Sequence, residues 1–119
     1  MSSYIMHICT SDIVKRKLNL TDKFVYGSAL PDILKEISQD RNGTHYIQKV
    51  IVNGEKRNLP NIQNAINSLQ IEDKEIKMGY IAHLLEDLIW FNEFIPRYAK
   101  DLGNTRIQFF RRIIICCDF

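Results

Sequence analysis

The stretch 79–90, GYIAHLLEDLIW, decides the fold. Its apolar residues recur at intervals of three and four, the spacing of an amphipathic α-helix. N-terminal to it, Glu72, Asp73 and Glu75 suit a helix start, where the dipole favours negative charge. Pro96 interrupts the pattern on the other side, so the spacing predicts a helix from Asp73 to Ile95, the longest in the chain. Ile76, Tyr80, His83, Leu84, Asp87, Phe91 and Phe94 fall on one stripe, whereas Glu75, Gly79, Ala82, Glu86 and Glu93 face elsewhere. A carboxylate on an apolar stripe is costly unless it is paired or metal-bound. His83 and Asp87, one turn apart, are therefore either a hydrogen-bonded core pair or two ligands on one helix.

Upstream, Ser2 or Ser3 can cap a first helix that runs to Leu18 and carries His7. Thr21 can cap the next piece. In KFVYGSALPDILKEI, Pro31 removes a backbone donor and restricts Leu30, which predicts that Asp32 lies where one helical segment ends and another begins. Asn42-Gly43 is a turn signal directly before His45, and Asn53-Gly54 follows HYIQKVIV, so a small β-hairpin is expected around residues 46–58. Asn61 opens a short helix, NIQNAINSLQ. The ending, RIQFFRRIIICCDF, is β-branched and reads as a strand-like or disordered tail. The expected class is mainly α, with a helical metal-site domain over 1–103 and an atypical tail over 104–119.

The bulk numbers bound the rest. A chain of 119 residues with 45% hydrophobic and 25% charged residues supports one core. The formal net charge of +2 gives no ground for a nucleic-acid surface, and the KRK cluster at 15–17 and Arg111-Arg112 read as solvated faces. The three cysteines have no CxxC spacing and fit free thiols in a reducing compartment. With no leader pattern and no long apolar run, a cytoplasmic location is expected. Oligomeric state is left open.

Three imidazoles and two carboxylates, drawn from separate segments, are the usual ligands of a zinc-type centre. The candidates are His7, Asp32, His45, His83 and Asp87. Glu86 is a further candidate ligand, ranked below Asp87 because the stripe puts it off the shared face. Tyr46, Tyr80, Trp90 and Phe91 read as core aromatics before pocket lining.

The order of these motifs resembles the bacterial zinc-dependent phospholipase C family, related to the P1-type nucleases. The resemblance rests on His7, on Gly27-Ser28 with Pro31-Asp32, on Thr44-His45-Tyr46, and on the Gly79-to-Asp87 pattern G-Y-x-A-H-L-x-x-D. It implies a helical fold in which Asp32, His45, His83 and Asp87 hold one zinc, while His7 and Asp87 hold a second, with Asp87 bridging. It also implies a phosphodiester hydrolase, acting on a phosphoester such as a phospholipid, in which metal-activated water attacks phosphorus and Asp32 assists as a general base. The family takes a third metal from later histidines, and this sequence has none after Asp87. A short or C-terminally truncated member with weak or no activity is the expectation. Two other readings remain: a non-catalytic helical metal-binding module, and an HD-type metal phosphohydrolase, whose adjacent His-Asp doublet is missing here.

Overall fold

The computed structural model describes residues 4–92. Five helices and one hairpin follow in the order α1 (Tyr4–Leu18), α2 (Asp22–Ser38), α3 (Arg41–Thr44), β1 (Ile47–Val52), β2 (Glu55–Pro60), α4 (Ile62–Ser68) and α5 (Lys74–Ile89). The fold is mostly helical with a two-stranded antiparallel hairpin. The tail reading over 104–119, Phe94 and the stretch around Pro96 lie outside the described residues.

The centre of the fold is the contact of α2 with α5. Thr21 caps α2, its hydroxyl accepting from the Lys23 N–H, and Asp73 caps α5 by accepting from the Glu75 and Ile76 N–H groups. The two helix starts are also tied to each other: the Thr21 N–H donates to the Glu75 carboxylate at 2.8 Å, and Lys23 Nζ meets Asp73 Oδ2 at 3.0 Å. From there the helices run in the same direction, and two glycines let their backbones touch. A Cβ added at Gly79 would sit 2.1 Å from the Phe24 carbonyl oxygen, and one at Gly27 would sit 2.1 Å from that of Ile76. Gly79 thus belongs to the buried face of α5, not to the outward side that its lack of hydrophobicity suggested.

Pro31 does not divide α2, which continues through it to Ser38. An interior proline costs about 3 kcal/mol of helix propensity. Burial of Phe24, Ser28, Ala29 and Pro31 itself against the neighbouring helices offsets that cost. Asp32 therefore lies inside a continuous helix, one position past the proline.

The hairpin pairs Val52 with Glu55 across Asn53 and Gly54, both at positive φ (52° and 79°), as a tight two-residue turn requires. It extends to Pro60, slightly beyond the expected span. The earlier Asn42-Gly43 closes a single helical turn instead: Asp40 caps α3 and accepts from the Gly43 N–H at 3.0 Å. Asn61 caps α4, which is shorter than the sequence suggested. Tyr80, Leu84 and Ala65 form the apolar core, with Tyr46, Leu30 and Ile62 packed around them. Tyr80 and Tyr46 are thus core aromatics, and Trp90 is buried as well. Lys15 and Arg16 pair with Asp12 and Asp22 on the surface. No helix among the described residues is long and apolar enough to cross a membrane.

Candidate metal centre

The close approach of α2 and α5 decides where the site lies. It lets His83 Nδ1 donate to the Ser28 carbonyl at 2.7 Å, which orients the ring across the helix interface. Ser28 is fixed in turn by donating to the Val25 carbonyl at 2.7 Å and by meeting the Ser11 hydroxyl of α1 at 2.9 Å. That serine pair registers α1 so that His7, one turn before Ser11, stacks on His83 with ring centroids 3.5 Å apart. His45 comes from the end of α3. Tyr80 donates its hydroxyl to the Thr44 carbonyl, and Tyr46 adopts φ 52° as the chain turns into β1. A tyrosine in the left-handed region is strained, and such strain persists where surrounding contacts over-determine the backbone.

All five expected residues come together. His7, His83 and Asp87 form one group of converging ligand atoms, and Asp32, His45 and His83 form a second. Asp87 reaches two histidines through different oxygens: Oδ1 lies 3.2 Å from His7 Nε2, and Oδ2 lies 3.4 Å from His83 Nε2. Asp32 Oδ1 lies 3.2 Å from His45 Nε2 and 3.8 Å from His83 Nε2. Ligands ~2.0–2.1 Å from a tetrahedral zinc stand roughly 3.3 Å from one another, so these separations suit a shared ion. The two longer ones, at 3.4 and 3.8 Å, are poor hydrogen bonds.

The outward ring nitrogens set the tautomers. His7 Nδ1 meets Glu86 Oε2 at 2.8 Å. His45 Nδ1 meets the Thr44 hydroxyl at 3.0 Å, and that hydroxyl already donates to the Asp40 carbonyl, so it accepts from the ring. With His83 Nδ1 donating to Ser28, each histidine spends its Nδ1–H on the protein and turns Nε2 inward. An imidazole held through one nitrogen so that the other can bind is the usual outer support of metal-ligating histidine. The decisive atom is His83 Nε2, which is buried and makes no hydrogen bond. A buried polar nitrogen left so is costly, and a cation between it, Asp32 and Asp87 would satisfy it. The donor set, imidazole nitrogen with carboxylate oxygen, fits zinc.

Electrostatics reinforce the picture. Burial would lower the His7 pKa, but hydrogen bonds and charge from Asp87 and Glu86 outweigh it and push it up to about 9. Burial would raise the Asp87 pKa, yet the His7 ring bonded to it and the close approach of His83 hold it far below the usual carboxylate range. Asp32 is likewise lowered: burial acts against ionisation, but the His45 hydrogen bond and the histidine charges prevail. A carboxylate held ionised in this way is a good ligand and a weak proton acceptor, which weighs against Asp32 as a general base. Asp32 keeps 15% of its side chain exposed, against 4% for Asp87, so the site meets solvent on the Asp32 side.

Glu86 is the residue that the sequence placed wrongly. The stripe on α5 puts it outward, but α1 covers that flank and brings His7 to it. The signal lay in the neighbouring pair Glu86-Asp87, whose side chains diverge by about 100° and can clasp one ring between them. A groove of about 530 Å³ with Val14, Met78, Ile81 and Leu85 in its wall runs along the other side of α5, and no histidine or carboxylate lines it.

No family model matches the chain, and neither a curated protein nor a solved structure matches it.

Proposed function

We propose that this chain is a zinc-dependent phosphodiester hydrolase of the phospholipase C-like type, with His7, Asp32, His45, His83 and Asp87 holding one or two zinc ions. The observation that carries the reading is His83 Nε2, buried without a hydrogen bond while its other nitrogen is fixed to Ser28 and two carboxylates flank it. Bound zinc would supply a water of lowered pKa and neutralise charge on the phosphoryl oxygens. The chain's own residues do the rest. His7, His45 and His83 present Nε2 lone pairs, and Asp87 turns one oxygen toward His7 and the other toward His83. Asp32, on the solvent side, can accept a hydrogen bond from an incoming water and orient it. The later histidines from which the resembled family takes a third metal have no counterpart among these 119 residues, and slow turnover is what this reading expects of them.

A non-catalytic metal-binding role is the second reading, favoured by burial: His7, His45, His83 and Asp87 are each at most 3% exposed. Closed sites of this kind are typical of structural zinc.

The test is zinc per chain, by elemental analysis of purified, dialysed wild type beside His83→Ala, with hydrolysis of an activated phosphodiester measured in parallel. One to two equivalents that fall sharply in the variant, with slow turnover abolished by a chelator, are expected. Zinc without turnover selects the structural role. A folded wild type that takes up no zinc rejects both.

A further inference from the structure

We infer that Glu86 is a positioning residue that fixes the His7 imidazole for metal binding; this rests on the zinc reading above. His7 lies between consecutive carboxylates of α5, with Nδ1 2.8 Å from Glu86 Oε2 and Nε2 3.2 Å from Asp87 Oδ1. The two nitrogens of an imidazole point in widely divergent directions. A carboxylate on Nδ1 therefore cannot share an ion with Nε2. That geometry rules Glu86 out of the ligand set while Asp87 stays in it, although the two are adjacent in sequence. It also gives Glu86 a definite role, as acceptor of the Nδ1–H, which selects the tautomer with a free Nε2 lone pair once the ion displaces the other proton. A carboxylate behind a ligating histidine also raises its basicity and restrains its ring. Each histidine is held through Nδ1: His83 by the Ser28 carbonyl of α2, His45 by its neighbour Thr44, and His7 by Glu86 of α5. Glu86 is 24% exposed in its side chain, so it can be replaced without opening the core.

The experiment compares wild type, Glu86→Gln and Glu86→Ala by competitive titration with zinc. The zinc-loaded wild type is examined in parallel by long-range nitrogen–proton correlation of the histidine rings. A positioning role predicts that Glu86→Ala weakens zinc binding by about 10–100-fold. Glu86→Gln, which keeps a carbonyl oxygen as acceptor, should lose at most about fivefold. The His7 ring in the loaded wild type should show a protonated Nδ1 and a metal-bound Nε2. Equal and large losses in both variants would make Glu86 a ligand, and unchanged affinity in Glu86→Ala would make it a bystander; either overturns the inference and leaves the zinc centre standing. A metal-bound Nδ1 at His7 overturns it without any variant. A wild type that binds no zinc removes the centre and the role together.

Discussion

The metal-free chain should lose stability as the pH rises from about 6.5 to 9, and the zinc-loaded chain should gain it. The perturbation acts on His7, buried between Glu86 and Asp87, whose pKa rises from 6.5 to about 9 on folding. A raised folded pKa stabilises fully below the unfolded value and is lost as the pH climbs through the folded one. That span of about 2.5 pH units, at ~1.4 kcal/mol each, is on the order of 3 kcal/mol. The partner carboxylate has the opposite sign: Asp87, held far below its usual range, loses its contribution only as the pH falls below about 4. The pair is one interaction and counts once, so a stability plateau is expected from about pH 4.5 to 6.5, followed by decline. Zinc reverses the slope because it binds the deprotonated imidazole and competes with the proton. Urea unfolding followed by far-UV circular dichroism, in chelator or in excess zinc at fixed ionic strength, measures both slopes. His7→Gln is the control that should flatten the metal-free curve. A metal-free profile that is level or rising across that range, or one that His7→Gln leaves unchanged, would refute the electrostatic account.

Three further outcomes concern the scaffold. Gly79→Ala puts a methyl group 2.1 Å from the Phe24 carbonyl oxygen, so α2 and α5 must separate. It should cost about 3 kcal/mol or more and reduce zinc per chain, because His83 leaves Ser28; full zinc loading in a variant of undiminished stability would count against the proposed registration. Leu84→Ala empties a site that is 0% exposed and should cost about 2–5 kcal/mol in chemical denaturation, with no change in the ligand set. Tyr80→Phe removes only the hydrogen bond to the Thr44 carbonyl. It should cost about 1 kcal/mol and loosen His45, seen as a weaker zinc affinity.

The helical class and the hairpin were legible because they rest on local signals. Asn53-Gly54 can supply two positive-φ residues, and Thr21, Asn61 and Asp73 carry side chains that cap the helices they precede. The five candidate residues were legible by residue type, and the fold brings their side chains together. Two readings failed where a tertiary contact outweighed a local rule. Pro31 looks like a helix break, but burial in α2 keeps the helix intact. Asn42-Gly43 does form a turn, a helical one that Asp40 caps, and a Cβ at Gly43 would collide with that carboxylate. Gly79 and Glu86 look outward on a stripe drawn from one helix alone. Gly79 carries no hydrophobic signal even though its smallness sets the closest contact, and Glu86 is claimed by a helix nearly eighty residues earlier in the chain.

The partners of this cluster lie far apart along the chain: 79 residues separate His7 from Glu86. Among the five candidate ligands only His83 and Asp87 are near neighbours, at the i, i+4 spacing of a single helix. An unfolded chain therefore offers an ion two neighbouring donors at best, so zinc bound as proposed would not template folding in the manner of a finger domain. If zinc binds as proposed, capture would follow assembly of α1, α2, α3 and α5, and release would require one of them to swing away. Its exchange would thus be slow and timed by local opening of the helices.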